Sequence, residues 1–169
     1  MIYIGIGGNV GGDDEIVVRF RQARDRVSDT GWGAGRGQRS SGLYRTAPVG
    51  MTAQAPFLNA VIEVDAAGVD ARAVLADLLR IEDELGRVRL GAGWGPRTID
   101  LDLLMIDRLV IKEPGLLLPH PRIQQRAFVL RPLVELTGSD LVIPGTGQTV
   151  GECLAHVGDQ PVELVVVDW

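Results

Sequence analysis

The chain has 169 residues, of which 46% are hydrophobic, and a formal net charge of −5 at pH 7. This length suits one compact domain over residues 1–169 with a proper hydrophobic core. The acidic balance argues against a duplex nucleic-acid binder, which normally carries a strongly basic face. No apolar stretch approaches the roughly 18 residues needed to cross a membrane.

Cysteine use and the first residues favour a cytoplasmic location. Cys153 is the only cysteine, so no intrachain disulfide can form, which fits a reducing compartment. The first residues lack the basic and apolar regions of a secretory signal. We therefore expect a cytoplasmic monomer without membrane or nucleic-acid partners, in which Cys153 is a small core residue rather than a nucleophile.

The basic residues are almost all arginines. Lys112 is the only lysine among the 17 basic side chains, and it does not lie in the glycine-rich loop that a phosphate-binding lysine requires. If the protein binds phosphate groups, arginines must bind them.

The chain begins with a strand pattern followed by a helix pattern. Isoleucine recurs at alternate positions of 2–6, which predicts a strand that ends at Gly7. Apolar residues at steps of three and four predict a helix over 13–29. A second strand, predicted over 38–45, leads into an irregular loop at 46–56.

The middle of the chain repeats this order. Residues 58–64 alternate as a strand, and 70–86 have the spacing of a helix that ends at a glycine. A second loop is predicted at 87–97. It precedes a strand over 98–106 and a short strand over 109–111.

The last third adds helices and one strand. A helix is predicted over 125–136, where Pro132 would kink or restart it, and another near 150–157. A final strand is predicted over 164–167. The whole order predicts an α+β fold, a ferredoxin-like β-α-β-β-α-β sandwich with additional C-terminal helices and strand.

Two aspartates one residue apart are the strongest chemical feature. On the strand predicted over 98–106, Asp100 and Asp102 would share one face, with Cα atoms roughly 6.6 Å apart. Like charges this close need compensation, and Mg²⁺ accepts such hard oxygen ligands. Two alternatives stay open: a solvated sheet face, and the D-x-D motif of metal-dependent sugar transferases.

Arginines accompany the acidic pair. Arg87, Arg89 and Arg97 all precede the strand, and guanidinium groups bind phosphate oxygens bidentately. They favour a phosphate clamp, although each alone could form a surface salt bridge. Glu82 lies at the edge of the inward face of its helix, and a solvated helix residue is the favoured interpretation.

A second group of residues could bind a flat heterocycle. Phe57 and Phe128 offer aromatic faces, and Asn59 offers an amide to the edge of such a ring. Core packing is an equally good explanation for the two rings. His120 lies between two prolines, where a structural role is the more common one.

Five ordered blocks of the chain resemble the hydroxymethyldihydropterin pyrophosphokinase family. They run from residue 3 to about residue 136, and the fourth is close to a family signature. The blocks are 3–9 (YIGIGGN), 43–50 (LYRTAPVG), 57–60 (FLNA), 86–89 with 94–102 (GRVR and WGPRTIDLD), and 118–121 with 126–128 (LPHP and RAF).

The resemblance implies transfer of pyrophosphate from ATP to 6-hydroxymethyl-7,8-dihydropterin, with release of AMP, in folate biosynthesis. It implies two Mg²⁺ ions held by Asp100 and Asp102, with Arg87 and Arg97 as further catalytic residues. The positions matching the ATP side are Glu82, Arg89, Trp94, His120 and Arg126. Those matching the pterin side are Thr46, Pro48, Val49, Phe57, Asn59 and Phe128.

Several positions depart from the family pattern. Gly8 stands where serine is common, and Leu79 where some members have a glutamine that contacts the nucleotide. Gly115 lies where a basic residue can assist ATP, and 31–37 is unusually rich in glycine. These departures bear on ATP affinity more than on the reaction type. The alternatives are a catalytically weak pterin or nucleotide binder and, less favoured, a nucleic-acid-binding module of the same fold.

Overall fold

The structure is a computed structural model that describes residues 1–48, 53–88, 95–158 and 160–169. Eight strands, four α-helices and one 3₁₀ helix are formed in these ranges. In chain order they are β1 (Ile2–Gly8), α1 (Asp13–Ser28), β2 (Gln38–Ser40), β3 (Leu43–Thr46), β4 (Phe57–Val64), α2 (Ala71–Glu84), β5 (Asp100–Ile106), β6 (Ile111–Glu113), β7 (Leu116–Leu118), the 3₁₀ helix (Ile123–Gln125), α3 (Ala127–Thr137), α4 (Val150–His156) and β8 (Val162–Val166).

The main sheet has the order β5-β1-β4-β3-β8, and β2 also pairs with β4. All of these pairings are antiparallel. Together with the element order, they confirm the α+β, ferredoxin-like class predicted from the sequence. The hairpin of β6 and β7 forms a separate two-stranded sheet.

Helices cover both faces of the sheet, so its central strands β1 and β4 are buried on both sides, whereas β8 at one edge is largely exposed. On one face Ile4 packs in a cluster with Phe20 of α1 and Leu78 of α2. On the other face Tyr3 and Leu104 pack with residues of α3 and α4. The additional C-terminal helices therefore form the second layer, and among them Cys153 is buried as predicted.

Some element boundaries differ from the sequence prediction. The first strand continues through Gly8, because glycine keeps both backbone hydrogen-bonding groups and pairs here with Leu58. The strand predicted over 38–45 is divided in two around Gly42, where a Cβ atom would lie 2.7 Å from Leu164 Cδ1. The periodicity over 125–136 corresponds to one helix that contains Pro132.

The short elements were harder to predict. The strand expected at 109–111 lies at Ile111–Glu113, and the pattern did not indicate its partner Leu116–Leu118 or the 3₁₀ helix. Three-residue elements carry too few positions for a period to emerge. Within the described ranges, no helix is long and apolar enough to cross a membrane.

Candidate active site

A cavity of about 480 Å³ opens where β1, β3, β4 and β5 meet the start of α3. One part of its wall carries Asp100 and Asp102 with Arg97. Another part, on β4 beyond Gly7 of β1, carries Phe57 and Asn59. The remaining lining side chains and backbone belong to Gly7, Thr46, Ala47, Gln54, Gly95, Arg122, Gln125, Arg126, Phe128 and Gln160.

Asp100 and Asp102 share the face of β5 that meets the C-terminal helices. In the sheet they lie opposite Gly7 and Gly5 of β1. Because those neighbours have no side chains, the space in front of the two carboxylates stays open. The structure thus brings the two acids together as the alternating pattern predicts.

Burial and charge affect the two acids together. Burial raises the pKa of Asp100, and the negative charge of Asp102 raises it further, whereas Arg97 and Arg87 act in the opposite direction. The cause is the cost of placing a second negative charge in a partly desolvated wall. Positive charge beside Asp100 lowers this cost.

Arginines compensate the acids. Arg87 Nη1 lies 3.0 Å from Asp100 Oδ1 and also donates to the carbonyl oxygen of Ile99 at 2.6 Å. Arg97 forms an ion pair with the other oxygen of Asp100. Arginines therefore supply part of the compensating charge, and the divalent cation predicted from the sequence stays a prediction.

Asp102 has its own basic partners. Arg126 Nη1 donates to Asp102 Oδ2 at 2.9 Å, and its guanidinium group lies 5.4 Å from the ring centroid of Phe128. His120 Nε2 lies 3.9 Å from Asp102 Oδ2. Burial lowers the pKa of His120, and the charge of Asp102 only partly offsets this. The neutral ring is thereby favoured, with Nδ1 accepting a hydrogen bond from the amide of Arg122.

Four of the residues predicted for the pterin line the same cavity: Thr46, Phe57, Asn59 and Phe128. Asn59 is 6% exposed, and its amide nitrogen donates to Thr46 Oγ1 at 2.9 Å. Phe57 and Phe128 are both half-buried, with ring surface left to the cavity. Pro48 is half-buried and follows the lining residues Thr46 and Ala47 in the chain, but it does not itself line the cavity.

Glu82 does not behave as a solvated helix residue, so that interpretation was wrong. It is 4% exposed, and its Oε1 accepts a hydrogen bond of 2.7 Å from the backbone N–H of Leu101. The carboxylate thus satisfies a backbone donor of the edge strand β5. Its assignment to ATP stays a prediction.

Three predicted residues lie outside the described part of the chain. They are Val49 on the pterin side and Arg89 and Trp94 on the ATP side. The predicted lid loops 46–56 and 87–97 are described only at 46–48, 53–56, 87–88 and 95–97.

Two positions that depart from the family pattern have clear surroundings. Leu79 lies on the outer face of α2 and is 41% exposed. Gly115 forms the turn between β6 and β7 with φ of 79°, a conformation that favours glycine. A basic side chain at Gly115 would therefore strain this turn.

Asn9 is a site residue that sequence reasoning did not single out. It is 4% exposed, and its Oδ1 accepts from the amide of Arg97 at 2.8 Å. Its Nδ2 donates to Ala55 O at 2.9 Å and to Gln54 Oε1 at 3.1 Å. The sequence did offer a signal for this role, because Asn9 directly follows a strand that ends in two glycines.

Comparison with known proteins assigns the chain to a family. The model of the 7,8-dihydro-6-hydroxymethylpterin-pyrophosphokinase family matches residues 3–138. The chain belongs to this family. The matched region contains all the site residues predicted from the sequence.

Relatives of the pyrophosphokinase family extend the match. The chain is 38% identical over 163 residues to the 2-amino-4-hydroxy-6-hydroxymethyldihydropteridine pyrophosphokinase of Methylorubrum extorquens, covering 96% of this chain and 97% of that protein. It is 39% identical over 138 residues to the Bacillus subtilis enzyme of the same name, covering 79% and 76% of the two chains. It also aligns with 21% of the folic acid synthesis protein fol1 of Pneumocystis carinii, at 34% identity over 98% of this chain.

Membership of the pyrophosphokinase family argues against an unrelated sugar transferase, which would not need the pterin-side blocks. The family match ends at residue 138, before α4 and β8. Gln160 therefore lines the cavity from outside the matched region.

Proposed function

We propose that this chain transfers the pyrophosphoryl group of ATP to 6-hydroxymethyl-7,8-dihydropterin and releases AMP, in folate biosynthesis. The observation that carries the proposal is the cavity itself. It combines a carboxylate pair surrounded by arginines with a wall of aromatic rings and an amide. The full-length relatives from Methylorubrum extorquens and Bacillus subtilis carry the name of this activity.

The pterin side supports binding of a flat, polar heterocycle. Phe57 and Phe128 can stack on its two faces, since aromatic rings prefer such offset contacts. Asn59 and Thr46 offer an amide and a hydroxyl group to its edge, and their mutual hydrogen bond fixes both orientations. We propose that Pro48 and Val49 complete this side.

The carboxylate pair fits Mg²⁺. Asp100 and Asp102 provide hard oxygen atoms on one strand face, the ligand type that Mg²⁺ prefers. The described residues hold no cluster of three or more potential metal ligands, so phosphate oxygens and waters would complete the coordination. When bound, two such ions would neutralise charge on the triphosphate and on the leaving AMP. The number of ions is part of the proposal.

The arginines position the triphosphate. Arg87, Arg97 and Arg126 surround the acids, so the site has a positive charge beside each carboxylate. Phosphoryl-type transfer depends mainly on alignment and on stabilising charge on the phosphate oxygens. We assign this role to Arg87 and Arg97. Arg126, His120, Arg89, Trp94 and Glu82 are assigned to ATP binding.

The reaction needs the pterin hydroxymethyl oxygen in line with the β-phosphorus. A bond forms between these two atoms, the bond from the β-phosphorus to the bridging α-phosphate oxygen breaks, and AMP leaves with that oxygen. The hydroxymethyl proton passes to solvent. A cavity that holds the heterocycle on one wall and the triphosphate on the other provides this alignment.

The test is formation of AMP from ATP and Mg²⁺, with and without the pterin and with and without EDTA. AMP that requires the pterin and disappears with EDTA supports both the reaction and the metal. Pterin binding, followed by its fluorescence, without any AMP formation would instead support the alternative of a catalytically weak binder.

Location and assembly are separate proposals. We propose a cytoplasmic monomer that binds neither membranes nor nucleic acid. Light scattering coupled to gel filtration measures the mass in solution against the 18.2 kDa of one chain. A dimeric mass, or salt-sensitive retention of RNA, would contradict these proposals.

A further inference from the structure

The side chain of Gln160 spans the two peptide groups on either side of Arg126. Its Oε1 accepts a hydrogen bond of 3.0 Å from the amide of Ala127. Its Nε2 donates to the carbonyl oxygen of Gln125 at 3.1 Å. The side-chain amide of Gln160 thus makes two hydrogen bonds to the backbone, one on each side of Arg126.

This contact acts at the start of α3, where the helix lacks a cap of its own. Arg126 is extended, with φ −121° and ψ 101°, and its side chain makes no capping hydrogen bond. The first amides of a helix have no partner within the helix, and Gln160 satisfies the one at Ala127. The C-terminal segment therefore supplies the hydrogen-bond acceptor for the Ala127 amide that the first residues of α3 do not supply.

The position of Arg126 matters for both substrates. Its guanidinium group holds Asp102 at 2.9 Å and lies over the ring of Phe128. A change in the backbone at Arg126 would move the carboxylate's partner and the aromatic ring together. A fixed backbone at Arg126 therefore holds the partner of Asp102 and the ring of Phe128 in place at the same time.

The tail that carries Gln160 is itself anchored. Val162, two residues later, pairs with Thr46 in the sheet. Further along, Trp169 Nε1 donates to the carbonyl oxygen of Ser41 at 2.7 Å, and Arg24 lies over the Trp169 ring. The glutamine thus lies two residues before β8, which is fixed in the sheet next to Thr46.

We propose that Gln160 is a positioning residue that holds Arg126 and Phe128 in the geometry needed for the reaction, acting from outside the family-matched region. The inference rests on the proposed function, because its kinetic consequence requires pyrophosphoryl transfer. Its structural part, the protection of the Ala127 amide, does not depend on any activity.

Two variants separate the hydrogen bonds from the bulk of the side chain. Gln160→Ala removes both, whereas Gln160→Met keeps a similar length and volume without either hydrogen bond. Gln148→Met is the matched control. The Gln148 side chain accepts a hydrogen bond of 2.7 Å from Gln124, and Gln148 is not among the residues that line the cavity. Each variant is compared with the full chain for kcat, for KM of both substrates, and for amide exchange at Ala127.

We expect both Gln160 variants to lower kcat/KM for the pterin about tenfold, through loss of two hydrogen bonds that set alignment. Amide exchange at Ala127 should also accelerate about tenfold in the absence of substrates. The melting temperature should change little, since the side chain of Gln160 is exposed. Gln148→Met should match the wild-type chain in all of these kinetic and exchange measurements.

A Gln160→Met variant with wild-type kinetics would overturn the proposal, since only bulk would then matter. Unchanged exchange at Ala127 would also overturn it. A wild-type chain that forms no AMP would refute the proposed function instead, while exchange at Ala127 would still test the contact itself.

Discussion

Asn9 and Arg97 hold each other through two hydrogen bonds. The backbone N–H of Arg97 donates to Asn9 Oδ1 at 2.8 Å, and the backbone N–H of Asn9 donates to the carbonyl oxygen of Arg97 at 2.9 Å. The side-chain nitrogen of Asn9 also reaches Ala55, which precedes β4. One buried asparagine thus joins the arginine beside Asp100 to the segment that leads to β4, the strand of Phe57 and Asn59.

Asn9→Ala should therefore reduce both activity and stability. It leaves the amide of Arg97 without its side-chain partner, at a cost of about 2 kcal/mol in unfolding free energy. Displacement of Arg97 should lower kcat on the order of tenfold or more. Denaturant unfolding and AMP formation measure the two effects. Thr146→Ala, which removes two side-chain hydrogen bonds in a distant turn, is the control.

Asp100→Ala and Asp102→Ala should each lower turnover about a hundredfold or more, because each variant removes one of the two carboxylates that we propose hold Mg²⁺. Initial rates of AMP formation at saturating ATP and Mg²⁺ check this. Asp25→Ala on the exposed face of α1 is the control and should retain full activity. Near-normal rates in both site variants would remove the acids from the assigned role.

Phe128→Ala should weaken pterin binding more than ATP binding. The ring offers a stacking face to the cavity, and such contacts contribute about 1 kcal/mol beyond the area that they bury. Isothermal titration with each ligand separately measures the difference. Phe128→Leu keeps an apolar side chain without a flat ring, so it should lose most of the same affinity. A larger loss for ATP than for the pterin would show that the ring is assigned to the wrong ligand.

Gly8→Ser should destabilise this chain even though serine is common at this position in the family. A Cβ atom at Gly8 would lie 2.9 Å from the carbonyl oxygen of Thr98, so the backbone after Arg97 would have to shift. Such overpacking costs about 1–3 kcal/mol. Thermal and denaturant unfolding measure this cost.

Gly12→Ser is the matched comparison for Gly8→Ser. Its Cβ atom would meet no heavy atom within 4 Å, and the residue stands directly before α1 with φ −75°. Serine is favoured at such a capping position, so stability should stay within a few tenths of a kcal/mol or rise. Equal losses in the two variants would mean that the close approach to Thr98 is not the cause.

The central strands and the acidic pair could be predicted from the sequence because they follow local rules. Alternation along β5 places Asp100 and Asp102 on one face whatever the rest of the chain does. The long helices followed in the same way from their apolar spacing. The motifs added the assignment of rings and arginines. Of these, Phe57, Phe128, Arg97 and Arg126 line one cavity, and Arg87 pairs with Asp100 without lining it.

Long-range partners could not be predicted in this way. The hydrogen bond of Glu82 to Leu101 joins residues 19 positions apart, and nothing in the helix pattern distinguishes that glutamate from a solvated one. The contact between Gln160 and Ala127 spans 33 positions and depends on how β8 joins the sheet. Such contacts are set by tertiary packing, which no single stretch of residues encodes.

The glycines of β1 have a consequence for ligand selection. Gly5 and Gly7 lie opposite the two aspartates and present only hydrogen atoms to the site, and a Cβ atom at Gly7 would come within 3.0 Å of Asn59 Oδ1. Of the two glycines, Gly7 lines the cavity, so at this point its surface is main chain, which has no rotamers to rearrange. Any side chain here would reduce the room for a bound molecule and meet Asn59, so the depth of the cavity depends on a residue that contributes no side chain at all.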